Sequence, residues 1–416
     1  MYTDVAIIGG GASGFASAIT IAKNYNGKVT ILEKLSRTCK KIIASGNGKC
    51  NLSNESLKAE NYHGSVDAMK IINQTPNWFK FFSEGMGVIC VSGSEGRTGG
   101  IYPKSNTATT VVNALRLTAE SLGINEICDF EVIGISGTDN NYTIQSKKET
   151  INCKKIIIAT GGYSAPSFGT DGSIMRLFKD MGYKVSKICP AVAPLRVNPE
   201  ILKGLKGVRV KGKISAVSNG KILRTEYGEM QFNENNISGI CVFNLAYLFQ
   251  NYENKLSLRA DLLPDMDTNS IINYIKKIKK IRCNYSLEEL LTGVFPKNLA
   301  VYIVKNTLKR PLTEKIQTLS DNEIKNFAYV IKCFEFQVTG CSNWQNSQAT
   351  CGGIHADCVT ENLESKKHSG IYFCGEILDT VGDCGGYNLQ WAWSSGIWAG
   401  MHCAESLKGG KNAKNK

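Results

Sequence analysis

The stretch that decides the fold is DVAIIGGGASG, residues 4–14. A short apolar segment, Val5 to Ile8, runs into glycines at positions 9, 11 and 14, which have GxGxxG spacing. The alanine-rich FASAITIAKNY that follows predicts a helix, and KVTILEK predicts a second strand ending at Glu33. Strand, glycine turn, helix and strand in this order form a βαβ unit. The sequence therefore predicts an α/β fold with a Rossmann-like, dinucleotide-binding domain.

Each residue type in this unit has a physical reason. Gly9 permits a tight turn, Gly11 lets the backbone approach a pyrophosphate, and Gly14 lets helix and strand pack closely. The helix N-terminus offers free N–H groups and a positive dipole to phosphates. Glu33 lies 19 residues after Gly14 (33 − 14), where a carboxylate accepts hydrogen bonds from adenosine ribose hydroxyls. Its charge would repel a 2′-phosphate, which disfavours NADP at this position.

The bulk composition indicates a globular protein without a membrane segment. A length of 416 residues suggests two domains, or one large domain with an insertion. No apolar run approaches the length of a transmembrane helix, and the N-terminus begins in a predicted strand rather than a signal peptide. We therefore expect a cytoplasmic location and no membrane partner.

The cysteines indicate a reducing compartment rather than a disulfide or metal framework. There are 15, an odd number, and none forms a CxxC pair. The closest metal-like pattern is CGGIHADC, with Cys351, His355 and Cys358, and its spacing fits no common zinc site. We predict no metal.

The net charge is +13, which favours an anionic partner such as a nucleotide cofactor, nucleic acid or an acidic surface. The alternative is that the excess of lysine only keeps the protein soluble. Composition does not decide between the two.

The distal half of the chain contains two further strand-to-glycine transitions. KKIIIATGGYSAPSFGTDG, residues 154–172, is an apolar strand that runs into ATGG. GIYFCGEILDTVGDCGGYNLQWAWSSGIWAG, residues 370–400, reads as a strand, then Gly375-Glu376 and Asp379, then a glycine turn and a helix that begins near Asn388.

With these motifs the chain resembles the flavoproteins that have two dinucleotide-binding domains, and within them the BaiN-type, HI0933-like NAD(P)/FAD-dependent oxidoreductases. The motifs that carry the resemblance are IIGGGASG…LEK, KKIIASGNGKCNLSN, GGIYPKSNTATTVVNAL, IIIATGGYS and LESKKHSGIYFCGEILDTVGDCGGYNLQWAWSSG. They span both ends of the chain.

The resemblance implies a non-covalently bound FAD. Its ADP half would lie on the glycine turn and Glu33, and Asp379 would contact the ribityl or pyrophosphate part. The helix near Asn388 would direct its N-terminus at the flavin pyrimidine, where it would stabilise negative charge on the reduced ring. Taken alone, Gly385-Gly386 is equally a plain turn before a helix. The expected cofactor-binding residues are Gly9, Gly11, Ala12, Ser13, Gly14, Glu33, Lys34, Lys41, Ser45, Gly46, Asn47, Asn51, Thr160, Gly161, Gly162, Gly375, Glu376, Asp379, Gly386, Tyr387, Asn388, Leu389 and Gln390.

The loop SGNGKCN, residues 45–51, has the composition of a turn or a ligand-binding loop. Lys40 and Lys41 precede it and could offset pyrophosphate charge, while Asn51 could offer an amide to the flavin edge. Cys50 is a candidate proton donor or redox partner. The alternative is a small buried cysteine that packs the loop, since flavin disulfide reductases use paired cysteines.

The middle of the chain predicts an inserted substrate domain, residues 191–344, between the two parts of the FAD domain, 1–190 and 345–416. The insert alternates with a period near two at first, which predicts a barrel-like set of strands, with a helix opening over 236–249; the period is helical over 269–335. We expect the basic tail, KGGKNAKNK, to be disordered. No second GxGxxG βαβ unit occurs, so NAD(P)H, if it is the reductant, would bind transiently.

The insert is basic. Residues 200–335 contain 21 Lys and Arg against 14 Asp and Glu, a difference of +7. In SIINYIKKIKKIRCNY the isoleucines predict one apolar helix face, and the lysines and arginine the other. The basic face is either solvated or binds RNA phosphates. The apolar positions are Ile271, Ile275, Ile278 and Ile281; the basic ones are Lys276, Lys277, Lys279, Lys280 and Arg282. A second basic cluster comprises Lys203, Lys206, Arg209, Lys211 and Lys213.

For catalysis we expect a hydride from flavin N5 to an activated C=C bond, an electrostatically stabilised enolate and a proton donor. Tyr102 is the candidate donor with Lys104 as an electrostatic helper, and Cys50 is the third candidate. The alternative for Tyr102 is packing under the flavin loop. Arg97 is a candidate clamp for an acidic substrate or a surface arginine. The four histidines form no convincing acid–base pair in the sequence.

The resemblance leaves the substrate open. Relatives are associated with reducing C=C bonds of 3-oxo bile acids, reducing a uridine of 23S ribosomal RNA to dihydrouridine, and oxidising small amines such as aminoacetone. Our first hypothesis is a C=C reductase, for which the charge favours ribosomal RNA over a bile acid. The others are a small-amine oxidase and a non-catalytic, flavin-bound RNA-binding factor. The oligomeric state is left open.

Overall fold

A computed structural model describes residues 1–93, 99–253 and 255–412. The chain divides into two compact units, which are described separately. The first comprises Met1–Pro190 and the segment from Ser347 onward, and the second comprises Ala191–Asn346. Arg97 and the end of the basic tail lie outside the described residues.

The first unit is built on a largely parallel sheet. Tyr2–Ile8 lies between Val29–Leu32 and Thr150–Ile158 and is parallel to both. Its residues Val5, Ala6 and Ile7 are fully buried, as expected for a parallel strand covered on both faces. The strand order is Asn125–Ile127, Val29–Leu32, Tyr2–Ile8, Thr150–Ile158, Asn141–Gln145 and Gly134–Thr138, and Ile371–Phe373 also pairs with Thr150–Ile158, in parallel.

Helices and small sheets surround this sheet. The α-helices of the first unit are Ala12–Asn24, Lys40–Ala44, Ala68–Gln74, Trp78–Met86, Ala108–Ser121, Met175–Asp180 and Tyr387–Asn412. The small sheets comprise Ser53–Asn54 with Gly100–Pro103 and Cys90–Ser92, and Tyr62–Gly64 with Thr380–Gly382. Among the described residues, no helix is both long and apolar enough to cross a membrane.

The second unit is a closed barrel followed by helices. Its strands alternate buried and exposed side chains, so that Val210, Ile214 and Ala216 line the core. The barrel order is Leu195–Val197, Asn236–Ser238, Lys221–Phe232, Arg209–Ser218, Leu256–Asp261 and Phe334–Cys341. The α-helices are Pro199–Leu202, Ile240–Phe243, Phe249–Tyr252, Thr268–Ile281, Lys297–Leu308 and Asp321–Lys332. The predicted fold class, a Rossmann-like domain with a β-rich and helical insert, is confirmed.

Two local predictions in the second unit were wrong. Residues 236–238 form a strand rather than the start of a helix, because they pair with Gln231 and Phe232 of the barrel. In the basic helix, Ile271, Ile275 and Ile278 are buried as predicted, but Ile281 is 63% exposed. Ile281 is the last residue of the helix and lies beyond the part of the apolar face that is packed against the core.

Candidate functional site

The glycine turn leaves one open position beside the helix N-terminus. Gly9 has a φ of +108°, and a side chain there would collide with the carbonyl oxygen of Ala159. A side chain on Gly14 would collide with the carbonyl oxygen of Gly9. At Gly11, by contrast, a Cβ atom would meet nothing within 4 Å. The first two glycines are therefore required for packing, whereas the space at Gly11 is available to a ligand.

Glu33 is fixed at the end of its strand, next to this turn. Its Oε2 accepts a hydrogen bond from Gly10 N at 3.0 Å, and its Oε1 accepts one from Leu35 N at 2.9 Å. A carboxylate has about four lone-pair sites, so each oxygen can accept a further bond from a hydroxyl group. The neighbouring Lys34 forms an ion pair with Asp171 at 2.7 Å.

Two helices present their N-termini toward the same end of the first unit. The long helix Tyr387–Asn412 packs on Ala12–Asn24 through glycines: a Cβ on Gly396 would lie 2.5 Å from Ser13 O, and one on Gly400 would lie 2.8 Å from Ser17 O. From the first contact to the second, the residue number increases by four in both helices, so the helices run parallel. The long helix begins eight residues earlier, which places its N-terminus about 12 Å beyond the other at 1.5 Å per residue.

Three buried polar atoms near these N-termini have no partner within the protein. Six buried side-chain atoms of the described residues accept or donate no hydrogen bond: Asn51 Oδ1, Thr160 Oγ1 and Asp379 Oδ1 in the first unit's glycine-rich region, and Ser218 Oγ, Thr307 Oγ1 and His402 Nε2 elsewhere. The first three belong to residues predicted to bind FAD. Buried polar atoms are nearly always paired, so a bound group that carries hydroxyl and N–H donors would satisfy them. Together with the open space at Gly11, these atoms fit an extended FAD.

The other oxygen of Asp379 is already bonded. Its Oδ2 accepts bonds from Ser65 N at 3.2 Å and from Ser186 Oγ at 2.6 Å. The side chain is held in place and is only 4% exposed. It therefore directs one fixed acceptor, Oδ1, away from these two donors.

Lys41 and Glu376, both predicted to bind the cofactor, are joined to each other. Lys41 Nζ lies 2.7 Å from Glu376 Oε2 and donates to Ser164 Oγ at 3.0 Å. Glu376 Oε1 also accepts from Thr350 N at 2.7 Å. Burial raises the pKa of Glu376, but the charge of Lys41 and the hydrogen bonds outweigh burial, and the pKa is lowered overall. This network connects the segment before the loop to the strand–glycine transition at Gly375.

The ATGG segment lies against the same network. A Cβ on Gly161 would lie 3.8 Å from Glu376 Oε2, and a side chain on Gly162 would collide with Thr350 Oγ1. The fold therefore brings together segments that are far apart in sequence.

The loop of residues 45–51 is sharply folded, and it buries Cys50. Gly46, Asn47, Gly48 and Cys50 all have positive φ angles, between 55° and 79°. Cys50 has no exposed surface, and burial raises the pKa of its thiol to about 12. A buried thiol with so high a pKa is neither a ready proton donor nor a reactive thiolate at neutral pH. The geometry supports the packing alternative for Cys50 and not the catalytic one.

The start of the long helix is braced by protein contacts. Gly386 has a φ of +103°, and a side chain there would collide with Ser53 O. Asn388 donates to Gly382 O at 2.8 Å and accepts from Gly382 N at 2.9 Å. Gln390 is fully buried, and its amide bonds to Ser53 and Ser394. Gln390 thus stabilises the start of the helix through protein contacts, and its contact with the cofactor stays a prediction.

Some of the remaining predicted cofactor residues are buried, and others are at least partly exposed to solvent. Ser13 and Gly375 are buried against each other, since a side chain on Gly375 would collide with Ser13 Oγ. Tyr387 donates to Ser56 O at 3.1 Å. The residues with at least partly exposed surface are Ala12, Ser45, Gly46, Asn47 and Leu389.

Of the catalytic candidates, Tyr102 is buried and Lys104 is exposed. Tyr102 lies in the strand Gly100–Pro103 and is 7% exposed. A Cβ on Gly93 or on Gly100 would lie 2.9 Å from its ring, so these glycines make room for it. This packing agrees with the structural alternative for Tyr102. Its role as a proton donor stays a prediction.

Sequence reasoning missed a histidine–carboxylate pair. His63 Nε2 lies 2.9 Å from Asp383 Oδ1, although the residues are 320 positions apart. Asp383 lies in the GDCGGYN turn that precedes the long helix. Only the three-dimensional pairing of Tyr62–Gly64 with Thr380–Gly382 brings them together. No local pattern around His63 signals this contact.

Comparisons with known proteins decide the family. The model of the HI0933-like protein Rossmann domain matches residues 3–402. The chain belongs to the HI0933-like family. The HI0933-like chain is 32% identical, over 96% of its length and 99% of the relative's, to a 3-dehydro-bile acid delta(4,6)-reductase of Clostridium scindens. It is 26% identical, over 95% of its length and 96% of the relative's, to the ribosomal RNA dihydrouridine synthase of Haemophilus influenzae.

Solved structures show the same fold at low sequence identity. The 3-ketosteroid delta1-dehydrogenase of Sterolibacterium denitrificans aligns with a TM-score of 0.52 and 12% identity, over 97% of this chain and 100% of that one. E. coli quinol fumarate reductase aligns with a TM-score of 0.51 and 14% identity, over 98% and 71%. The HI0933-like chain is thus a flavin-dependent oxidoreductase with a Rossmann-like domain, as the sequence predicted.

Proposed function

We propose that the protein reduces a ring C=C bond conjugated to a carbonyl group, with FAD as the hydride donor. The observation that carries the proposal is the full-length likeness to two proteins with different substrates and one chemistry. Both the bile-acid reductase and the dihydrouridine synthase are named for products in which such a bond is saturated. The bond, rather than the molecule that contains it, is what the two relatives share.

The residues of the first unit have defined tasks in this proposal. The glycine turn and Glu33 hold the ADP half of FAD, and Thr160, Asp379 and Asn51 offer their unpaired atoms to the rest of the molecule. The N-terminus of the long helix stabilises negative charge on the flavin pyrimidine. Bound FAD supplies a hydride from N5 when reduced. NAD(P)H binds transiently and reduces it.

A steroid-like enone is the first candidate substrate. The relative named for a bile acid is the more similar of the two, at 32% against 26% identity, and the match covers nearly both chains. The substrate would need a flat apolar surface beside the flavin and at most one or two cations for its carboxylate.

A ribosomal RNA uridine is the second candidate, and one surface feature favours it. Arg209, Lys211 and Lys213 alternate with buried residues along one barrel strand and are all exposed. Residues two apart on a strand lie about 6.6 Å apart, so the three form a straight basic row on the outer face of the barrel. Such a row suits the phosphates of an extended nucleic acid strand.

The test is an anaerobic assay of the FAD-loaded protein with NADH or NADPH. The acceptors are a 3-oxo-Δ4 cholenoic acid and 23S ribosomal RNA from cells that lack this protein. Acceptor-dependent oxidation of NAD(P)H, with a product heavier by two hydrogens in mass spectrometry, supports the proposal and identifies the substrate. Turnover of aminoacetone with oxygen, with release of hydrogen peroxide and no reduction of either acceptor, would instead indicate the amine oxidase. Salt-sensitive RNA binding without turnover would indicate the non-catalytic factor.

A further inference from the structure

The His63–Asp383 pair is a buried and doubly fixed unit. Asp383 Oδ1 lies 2.9 Å from His63 Nε2, and Asp383 Oδ2 accepts a bond from Asn61 Nδ2 at 3.1 Å. Asp383 N also donates to Asn61 O at 2.9 Å. The Asp383 side chain is 3% exposed, and that of His63 is 13% exposed. The carboxylate is therefore locked, whereas the imidazole keeps some accessible surface.

The pair lies between two parts of the proposed FAD site. In the antiparallel ladder, His63 is opposite Val381, and residues directly opposite each other point to the same face. Asp383 directly follows the strand of Val381, and its carboxylate reaches His63. Asp379 has the unpaired Oδ1, and the long helix begins at Tyr387, four residues after Asp383.

The other histidines are placed elsewhere. His368 bonds to Tyr183 and precedes the strand Ile371–Phe373, so it lies at the amino end of a parallel strand, opposite the glycine turn. His402 pairs with Glu405 near the far end of the long helix. His355 pairs with Asp357, whose side chain is 67% exposed. All four histidines are among the described residues, and His63 is the one whose strand pairs with the segment between the predicted cofactor residues Asp379 and Gly386.

We propose that His63 is the proton donor of the reduction and that Asp383 is its positioning residue. As the β carbon of the conjugated C=C bond receives a hydride from reduced FAD, the π electron pair moves to the α carbon, and His63 gives that carbon its ring proton. The alkene gains two electrons and two hydrogens, reduced FAD is oxidised by two electrons, and neutral His63 regains its proton from water. This role rests on the proposed function.

The titratable groups on the elements packed here include Asp383, Asp379, Tyr62 and Tyr387. Of these, Asp383 contacts the ring, with its Oδ1 2.9 Å from His63 Nε2. The hydroxyl group of Tyr62 donates to Tyr387 O at 3.2 Å, and the two rings meet edge to face. Burial raises the pKa of Tyr62 far above its ordinary value, so it does not compete as a donor. A histidine whose ring is held by a buried carboxylate is suited in geometry to act as a general acid.

The test compares His63→Gln, Asp383→Asn and Tyr102→Phe in the FAD-loaded full chain. His402→Gln is the matched control, since it removes an imidazole from another histidine–carboxylate pair. Each protein is reduced anaerobically with dithionite and mixed with the acceptor that the wild type reduces, and flavin oxidation is followed between pH 5 and 9. His63→Gln should slow this step by about 10² to 10⁴-fold and remove its decline at high pH. Asp383→Asn should have a smaller effect, and His402→Gln should react like the wild type.

A second measurement does not depend on turnover. Diethyl pyrocarbonate acylates unprotonated imidazole, and peptide mass spectrometry reports each of the four histidines separately. FAD together with the acceptor should protect His63 and leave His402 unchanged.

Each outcome separates the two proposals. A wild type that no acceptor oxidises rejects the proposed function, and the donor role with it. An active wild type with His63→Gln within twofold of it, or with the loss found in Tyr102→Phe instead, overturns the donor role alone. Equal acylation of His63 with and without FAD and acceptor also overturns it.

Discussion

At Gly11, the addition of one methyl group should weaken cofactor binding and leave the stability of the fold nearly unchanged. A Cβ there meets nothing within 4 Å, and the backbone φ of −96° suits any residue, so Gly11→Ala should change the stability of the FAD-free protein by less than about 1 kcal/mol. The methyl group would occupy the space proposed for the pyrophosphate, and FAD affinity should fall at least about tenfold. Thermal unfolding and FAD titration measure the two effects.

Gly14→Ala is the matched comparison in the same turn. Its Cβ would collide with Gly9 O, which is main chain and cannot move aside. This variant should lose both stability and FAD. If Gly11→Ala binds FAD like the wild type, the pyrophosphate does not lie at this turn.

The lowered pKa of Glu376 predicts that this residue stabilises the folded protein at neutral pH and that the stabilisation is lost in acid. Burial raises the pKa of Glu376, but Lys41 and three hydrogen bonds lower it below its ordinary 4.5. A depressed folded-state pKa stabilises the protein above the ordinary value, and that stabilisation is lost as the pH falls through the lower folded value. Glu376→Gln should therefore have a lower free energy of unfolding than the wild type at pH 7, by about 1.5–3 kcal/mol, and the gap should narrow below pH 4.5.

The exposed Glu84 provides the control for this prediction. Its carboxylate lies 3.8 Å from Lys80 on a surface helix and is 68% exposed. Glu84→Gln should leave the unfolding midpoint unchanged at every pH. A gap between the wild type and Glu376→Gln that stays constant down to pH 3 would contradict the role of the ion pair.

At the scale of the element, the contact between the two parallel helices sets the spacing of their N-termini. A Cβ at Gly396 would lie 2.5 Å from Ser13 O and 2.9 Å from Ala16 Cβ. Gly396→Ala should push the helices apart and destabilise the protein by about 1–3 kcal/mol. Because the shift also moves the helix proposed to face the flavin, we expect a changed flavin absorption spectrum. Thermal unfolding and the visible spectrum report the two effects.

Gly409 on the same helix is the control. A side chain there meets nothing within 4 Å, so Gly409→Ala should stabilise slightly, by up to about 1 kcal/mol, through helix propensity alone. Equal effects of the two substitutions would show that the helices do not depend on this close contact.

The elements that depend on residues close together in the chain could be predicted from the sequence. The βαβ unit at residues 4–33 follows from glycine spacing and apolar strands, and the family motifs indicated the flavin chemistry. The burial of Cys50 was one of the two alternatives that the loop composition left open. The burial of Gln390 could not be predicted, because it depends on a segment more than 300 residues away, as in the bond from Ser53 to Gln390. His63 was missed for the same reason. The sequence shows a residue's chemistry, and the fold decides whether that residue reaches a ligand.

At the scale of the whole molecule, the net charge of +13 includes a local row of basic side chains whose role can be tested. Part of it is neutralised in place: Lys206 pairs with Glu234 and Arg259 with Glu335. In the row of Arg209, Lys211 and Lys213, Arg209 forms an ion pair with Glu229 at 3.6 Å, with both side chains about half exposed or more. Exposed pairs of this kind are weak and open readily to a phosphate.

Replacing the three basic side chains of this row by glutamine should weaken RNA binding in a way that salt reveals. Each phosphate contact contributes about −0.7 to the slope of log affinity against log salt for single-stranded RNA, so the slope should become shallower by about 2. The measurement is fluorescence anisotropy with a labelled uridine-containing RNA hairpin. Lys58, Lys80 and Lys147, each 62% exposed or more, provide a control triple that removes the same net charge from the first unit. If both triples change the slope equally, the protein attracts RNA by net charge alone; if neither does, the steroid-like enone becomes the preferred substrate.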